Sequence, residues 1–302
     1  METSLLQDTA APVQPGLVRA FGAAEQGAPA LLPPLPLQRE SAANDPTATA
    51  RGELEAALAA VRAATLAELT THWSKLGERL AAILLAMPAP GAPQALADAA
   101  QLVVALTERA PELAIFMLVA QPAQADKTPY GVVRSLHAAA AAHIVATRLN
   151  WPAQRCLTLI KAALTMNLSI LELQERLSNQ ARLPSPAQRN AIHLHPHASA
   201  ATLRASGVDD ADWLSAVEQH HEKPGGGGFP SALVEVCELA SALRAVDVYT
   251  AKLAGRSGRD ALPPERAARD LLVVERGNAF ALALVTEFGL HPPGSLVRLH
   301  NG

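Results

Sequence analysis

Hydrophobic residues recur at intervals of three and four positions along most of the chain after residue 50. From Gly52 to Met87 this apolar stripe is nearly continuous, which predicts one long helix. The sequence shows no alternation typical of strands and no βαβ spacing, so it predicts an all-α protein. Further helices, separated by breaks rich in Pro and Gly, are predicted over residues 94–109, 112–120, 132–149, 152–177, 186–206, 211–221, 231–253, 264–276 and 278–288.

The composition supports the helical prediction and argues against non-specific nucleic-acid binding. Hydrophobic residues make up 49% of the chain but aromatic residues only 3%, so the core must consist mainly of Ala, Leu and Val. Alanine has the highest intrinsic helix propensity. A net charge of −3 gives no basic surface for non-specific binding to a nucleic-acid polymer. The two cysteines, Cys156 and Cys237, lie in apolar helical stretches and are predicted to be buried thiols in a reducing cytoplasm.

The pattern divides the chain into three parts. Residues 1–50 are rich in Pro and Ala without periodicity, which predicts a disordered leader. Residues 51–125 predict a small helical module, and residues 128–302 a larger helical domain that contains most of the histidines. No secretory signal is visible, and the apolar windows Leu80–Met87 and Leu113–Ala120 are shorter than the ~20 residues that cross a bilayer. We therefore expect a cytoplasmic protein that does not bind membranes.

Three groups of side chains are candidates for a metal site. His195 lies on one predicted helix, His220 and His221 end the next, and Asp247 lies on the helix after that. Neutral imidazoles and carboxylates from different helices are common ligands of Fe, Mn and Zn. Each residue also has a simpler explanation, since a pair of histidines at a helix C-terminus interacts favourably with the dipole and Asp247 could be a solvated helix residue. The spacing alone leaves these alternatives open.

The order of the motifs resembles the HD-GYP family of bacterial cyclic di-GMP phosphodiesterases. His195-Pro196 is followed by the segment His220–Pro230, which reads HHEKPGGGGFP, then by Asp247-Val-Tyr and by Pro263-Pro264-Glu265. In that family a helix ending in His-His-Glu leads into Gly-Tyr-Pro. The resemblance covers about residues 128–302 and implies an HD-GYP-type helical bundle. It also implies that His195, His220, His221 and Asp247 are metal ligands.

The Gly-Tyr-Pro loop of the family is implicated in contacts with diguanylate cyclase (GGDEF) domains. Phe229 replaces the tyrosine in this chain, but the outline of the loop is kept. The resemblance therefore implies that this loop contacts a partner, through Gly226, Gly227, Gly228, Phe229 and Pro230.

The chain departs from the family at the residues that give it its name. Met166 and Asn167 stand where the family has its His-Asp pair, and Arg134 stands where it has its first histidine. His137, one turn beyond Arg134, is a candidate partial substitute. The missing Asp would bridge metal ions that share an activated water. An amide, a soft thioether and a guanidinium cannot replace such ligands. We expect no catalytic residues and no resident cofactor, or at most one divalent ion (Fe or Mn) at partial occupancy on the remaining ligands.

Arg134 has a second interpretation, because a guanidinium is a natural phosphate ligand. Lys252, Arg256 and Arg259 form a small basic group near Asp247, and Arg134, Lys252 and Arg256 could together bind the phosphates of cyclic di-GMP without cleaving it. The simpler alternative is that Arg134 only pairs with Asp247 or Glu222.

Three functional hypotheses follow. The first is a catalytically degenerate HD-GYP protein that acts as a signalling or interaction module in cyclic di-GMP regulation. The second is an active or residual metal-dependent cyclic di-GMP phosphodiesterase or phosphohydrolase with a rearranged site. The third is a helical adaptor without a ligand. The lost His-Asp pair argues against an enzyme.

Overall fold

The computed structural model describes residues 46–120 and 128–296, and these residues fold entirely as helices and loops. Within these ranges there is no β-strand, only an isolated bridge between Arg256 and Arg259. The predicted all-α class is therefore confirmed. The helices are α1 (Pro46–Ala63), α2 (Leu66–Leu85), α3 (Ala92–Arg109), α4 (Pro111–Ala120), α5 (Tyr130–Arg148), α6 (Ala153–Thr165), a 3-10 turn (Leu168–Ile170), α7 (Leu171–Ser178), α8 (Pro186–Ala205), α9 (Ala211–Gln219), α10 (Glu238–Leu253), α11 (Pro264–Val274) and α12 (Ala279–Phe288).

The predicted single helix over Gly52–Met87 is wrong, because two helices meet at Ala64 and Thr65. The Thr65 hydroxyl accepts a hydrogen bond from the Glu68 backbone N–H, and the Glu68 carboxylate accepts one from the Thr65 N–H at 2.8 Å. This reciprocal capping box starts a new helix. The apolar stripe runs past the break, so periodicity alone does not reveal it. The first helix also begins earlier than predicted, at Pro46, while residues 1–45 of the predicted leader lie outside the described residues.

The predicted helix over residues 152–177 is also divided, at Met166 and Asn167. There the chain leaves α6 and passes through the 3-10 turn into α7. The turn is tied to α8, since the Ser169 backbone N–H donates to Ser199 Oγ at 3.1 Å and the Ser169 hydroxyl donates to the His195 carbonyl at 3.1 Å. Met166 and Asn167 are consequently buried, with 0% and 4% exposure.

The segment predicted to begin a helix at Ser231 is instead a loop up to Cys237. The Glu222 carboxylate, itself 1% exposed, accepts hydrogen bonds from the backbone N–H groups of Ser231 (2.6 Å) and Leu233 (3.1 Å). Those N–H groups are thereby satisfied without a helix, and α10 starts only at Glu238.

Helix α5 lies at the centre of the described chain. It packs against α2, α3, α4, α6, α7, α10 and α12, and Ala138–Ala142 on it are all buried. Small side chains let neighbouring helices approach closely, which explains how one helix contacts so many others. The boundary predicted between the N-terminal module and the larger domain falls on residues 121–127, outside the described residues, and stays a prediction.

One stretch of the described chain, Ala153–Ser178, is long and apolar enough to cross a membrane by length and composition. Its apolar window is 78% buried inside the protein. The segment therefore belongs to the helical core.

Candidate functional site

Three histidines from two regions of the chain converge on one point. His195 comes from α8, and His220 and His221 follow the last residue of α9. One ring nitrogen from each lies within 4.8 Å of the others. Among the described residues this is the sole cluster of potential ligands with such spacing. The structure therefore brings together three of the four predicted ligands.

Hydrogen bonds fix the orientation of two of these rings. Nδ1 of His195 lies 2.6 Å from the Ile192 carbonyl, and Nδ1 of His220 lies 2.7 Å from the Val217 carbonyl. A carbonyl can only accept, so both Nδ1 atoms carry the proton and both Nε2 atoms present lone pairs. The two Nε2 atoms face each other at 3.1 Å. Two nitrogens at 2.0–2.1 Å from one ion and at about a right angle would be about 3 Å apart, so the pair fits a single metal ion.

Burial keeps all three imidazoles in the neutral form that binds metals. Burial, and then the neighbouring His220, lower the pKa of His195 to about 3. Burial also lowers the pKa of His220, although the charge of Asp247 opposes this shift. The pKa of His221 lies well below its usual value because of burial and then the nearby His220 and His195. The cluster is uncharged at neutral pH.

The fourth predicted ligand, Asp247, binds a guanidinium instead. Its Oδ1 accepts a hydrogen bond from Nη2 of Arg134 at 2.8 Å, and both side chains are largely buried. Arg134 projects from α5, and the resemblance aligns it with the family's first histidine. Of the two partners considered for Arg134, the structure shows Asp247. The Glu222 carboxylate instead accepts hydrogen bonds from the loop backbone.

Met166 and Asn167, which the resemblance aligns with the family's His-Asp pair, contribute neither an imidazole nor a carboxylate to the site. Asn167 lines the same small cavity as Arg134, Asp247, His195 and His221, and it presents a neutral amide there. Met166 is fully buried. The site therefore fits one ion on the three histidines, but it lacks the carboxylate that would bridge a second ion.

His137 does not substitute for the missing histidine. It lines a separate small cavity with Trp73, Gly77 and Met117. Burial, with a contribution from Arg134, lowers its pKa to about 4. The prediction that His137 partly replaces the family's first histidine is wrong. His137 lies one helical turn beyond Arg134 on α5, so its imidazole faces α2 and α4.

Three guanidiniums line the cavity beside the histidines. Its volume is about 180 Å³, and Arg134, Arg256 and Arg259 contribute to its wall. Arg259 donates to the carbonyls of Ala251 and Ala254. Burial lowers the pKa of Arg259, and the charges of Arg256 and Arg134 lower it too, although Tyr130 opposes the shift.

Lys252, the third predicted phosphate ligand, is not in this wall. Its ammonium lies 3.2 Å from Asp270 on α11. Sequence reasoning missed three polar residues of the wall, Tyr130, Gln174 and Ser178. The packing of α5 against α7 places them there.

The glycine-rich loop lies directly on the histidine cluster. The Phe229 ring stacks on His221 with centroids 4.5 Å apart and on His193 with centroids 5.3 Å apart. The backbone of Gly228 passes so close to Glu222 and Lys223 that a Cβ would lie well under 3.0 Å from their backbone atoms. The predicted partner loop is therefore in direct contact with one potential metal ligand, His221.

Comparison with known proteins agrees with this geometry. The sequence matches the family described as "HD domain" over residues 94–278. Among solved structures, Bd1817, an HDG"Y"P protein from Bdellovibrio bacteriovorus, superposes with a TM-score of 0.60 at 15% sequence identity, covering 79% of this chain and 78% of that one. No curated protein matches the sequence. The chain therefore belongs to the HD domain family, and its fold is that of an HD-GYP protein.

Proposed function

We propose that this chain is a catalytically inactive HD-GYP-type protein that acts as a signalling or interaction module in cyclic di-GMP regulation. One observation carries the proposal: Arg134 and Asp247, at two positions where the resemblance implies metal ligands, form an ion pair with each other. The guanidinium supplies a fixed positive charge and holds the carboxylate that would otherwise bind a cation.

The loss of activity follows from the charge of the site. Hydrolysis with two metal ions needs a carboxylate that bridges them and lowers the pKa of the shared water. Asn167 is neutral, and Arg134 repels a second cation. The three histidines could hold one ion, which would act as a Lewis acid. Without a bridging group the chain's own residues cannot hold a second ion beside it.

The same residues support binding of an anion. Guanidiniums bind phosphate through paired N–H donors, and Arg134, Arg256 and Arg259 line one cavity. A volume of about 180 Å³ is below the usual range of ~300–1,000 Å³ for pockets that enclose a drug-sized ligand. The cavity is thus suited to one phosphate group of cyclic di-GMP, with the rest of the nucleotide outside.

The loop supports an interaction role. Phe229 is anchored on the histidines, while Ala232 and Val234 beyond it are exposed, Val234 by 71%. An exposed valine on an anchored loop offers a contact for a partner such as a diguanylate cyclase (GGDEF) domain.

The test measures metal content, turnover and binding on the same purified chain. We expect at most one equivalent of Fe or Mn, no conversion of cyclic di-GMP to linear pGpG or GMP, and saturable cyclic di-GMP binding by isothermal titration calorimetry. Arg256→Ala should weaken that binding, while Arg204→Ala, which removes a surface arginine of α8, should leave it unchanged. Two metal equivalents with turnover would overturn the proposal.

A converse experiment restores the missing groups. The triple variant Arg134→His, Met166→His, Asn167→Asp should bind more metal than the natural chain if the fold is intact and only the ligands are lost. Its helical content, followed by circular dichroism, controls for misfolding.

A second function, residual metal-dependent phosphohydrolase activity, is favoured by the paired Nε2 atoms of His195 and His220. Turnover that depends on one added metal equivalent and is lost in His220→Ala would support it. If neither metal nor cyclic di-GMP binds, the third hypothesis, a helical adaptor without a ligand, explains the chain better.

A further inference from the structure

A second and much larger cavity lies between α1, α3, α5 and α6. Its volume is about 960 Å³, within the range of pockets that enclose small-molecule ligands. It shares no lining residue with the cavity beside the histidines. Its chemistry is therefore independent of the HD-type site.

One part of this cavity is apolar. Leu58 of α1, Val104 and Ala105 of α3, and Leu157 of α6 line it, and all four side chains are only partly buried by the protein itself. Trp151 adds an aromatic surface, one face of which is covered by the Arg155 guanidinium at 4.2 Å. A hydrophobic ligand would cover apolar surface that the described helices leave accessible, and removing that surface from water favours binding.

The remaining wall carries an excess of positive charge. Arg62 and Arg109 contribute two guanidiniums, and Glu108 contributes one carboxylate. Glu108 Oε1 lies 3.6 Å from Nε2 of His143, and Arg109 donates to the Ala64 carbonyl at 3.0 Å. Within the described part of the chain Arg62 forms no ion pair, so its guanidinium remains available to a ligand.

His143 adds no charge to this balance. It is 6% exposed, and burial lowers its pKa although Glu108 opposes the shift. The imidazole is consequently neutral at neutral pH, and the net charge of the wall is positive.

From this combination we infer that the cavity between α1, α3, α5 and α6 binds a small amphipathic anion. The apolar body of the ligand contacts Leu58, Ala105 and Leu157, and its single acidic group pairs with Arg62. A neutral apolar molecule of the same shape makes only the apolar contacts and no ion pair with Arg62. The cavity should therefore bind the anion more tightly than the neutral molecule.

The test compares two fluorescent probes that share their aromatic rings. Anilinonaphthalene sulfonate carries one negative charge, and N-phenylnaphthylamine carries none. We expect the natural chain to bind the sulfonate in a saturable, roughly equimolar manner and the neutral probe more weakly.

Two variants and one control locate the site. Arg62→Gln should weaken sulfonate binding about tenfold, the effect of losing one charged hydrogen bond, and leave the neutral probe unaffected. Ala105→Phe, which fills the cavity, should weaken both probes. Arg51→Gln removes an exposed arginine from the same helix α1, away from the cavity, and should change neither.

Circular dichroism shows whether each variant is folded. Arg62 is exposed, so its variant keeps the proposal testable even if Ala105→Phe misfolds. Absence of saturable sulfonate binding, or sulfonate binding that Arg62→Gln leaves unchanged, would overturn the inference. Because no lining residue is shared with the histidine site, either result leaves the proposed function untouched.

Discussion

At the scale of single residues, Arg134 changes the charge of the site. It adds a positive charge beside three neutral imidazoles and occupies the carboxylate of Asp247 at 2.8 Å. The imidazoles on their own are well arranged for an ion, since the Nε2 atoms of His195 and His220 lie 3.1 Å apart. We therefore expect a residue that is not itself a ligand to limit the affinity of the site for cations.

We predict that Arg134→Ala increases the affinity of the cluster for Mn²⁺ by at least about tenfold, equivalent to 1.4 kcal/mol. The change removes a repelling charge and frees Asp247 to act as a fourth ligand. Titration calorimetry with the metal measures the change. Arg256→Ala is the control, because it removes a guanidinium from the same cavity without freeing Asp247. Equal affinities of the natural chain and Arg134→Ala would contradict the prediction.

His137 is a buried residue outside the site, and its lowered pKa makes the stability of the fold depend on pH. Its pKa in the folded protein is about 4, below the usual value of 6.5, so the unfolded chain binds more protons between these pH values. The stabilising effect of the neutral imidazole is therefore complete above pH 6.5 and is lost as the pH falls from 6.5 towards 4.

We predict that the natural chain loses about 2 kcal/mol more stability than His137→Leu between pH 7 and pH 5. Urea unfolding at the two pH values measures the difference, and comparison with the variant cancels contributions from the other histidines. Parallel pH dependence of the two proteins would contradict the assigned pKa.

At the scale of secondary-structure elements, the loop after α9 completes a site whose other side chains, such as His195 and Arg134, project from helices. The glycine-rich loop is held by the Phe229 stack and by the hydrogen bonds of Glu222. Within its run of four glycines, only Gly228 has a backbone too close to Glu222 and Lys223 for any side chain. At Gly227 a Cβ would meet only the flexible Lys223 side chain, at 3.7 Å.

We predict that Gly228→Ala displaces the loop and destabilises the protein by ~1–3 kcal/mol, as overpacking usually does, whereas Gly227→Ala has little effect. Thermal unfolding measures the stability, and amide hydrogen exchange of residues 225–236 measures the displacement. The two variants differ by one position in the same run of glycines. Equal effects would show that the close backbone approach at Gly228 does not exclude a side chain there.

The break between α1 and α2 is decided by one cap. Thr65→Ala removes the hydroxyl that accepts from the Glu68 N–H, and we predict a loss of about 1 kcal/mol in the free energy of unfolding. Thr71→Ala, on the exposed surface of the same helix, serves as the control and should be nearly neutral. Chemical denaturation measures the free energy of unfolding of both variants. Equal free energies would show that the Thr65 cap does not stabilise the protein.

At the scale of the whole molecule, α5 connects the regions described above. It carries Arg134 in the histidine site, His137 in a separate small cavity and His143 beside the large cavity. Its buried alanines, Ala138–Ala142, allow the surrounding helices to pack closely around it.

We predict that Ala141→Leu destabilises the fold by ~1–3 kcal/mol, because the added atoms have no space between α5 and its neighbours. Ala198→Leu, at an exposed position of α8, should change stability by less than about 0.5 kcal/mol. Denaturant unfolding of both variants tests the prediction. A tolerated Ala141→Leu would mean that the helices around α5 can move apart at little cost.

The sequence by itself determined the all-α class, the approximate position of most helices and the HD-GYP resemblance. It also singled out His195, His220, His221 and Arg134. These features depend on local periodicity, on Pro and Gly at helix ends and on motifs within short segments, all of which can be seen along the chain.

Only the tertiary structure decided the features that depend on distant contacts. Arg134 and Asp247 are 113 positions apart, and the sequence could not choose between Asp247 and Glu222 as the partner of Arg134. The breaks at Thr65 and Asn167 lie inside continuous apolar patterns, and a hydroxyl cap and contacts with α8, respectively, produce them. Periodicity indicates which face of a segment is buried, but not which distant side chain contacts that face. The chemistry of this site depends on such long-range contacts.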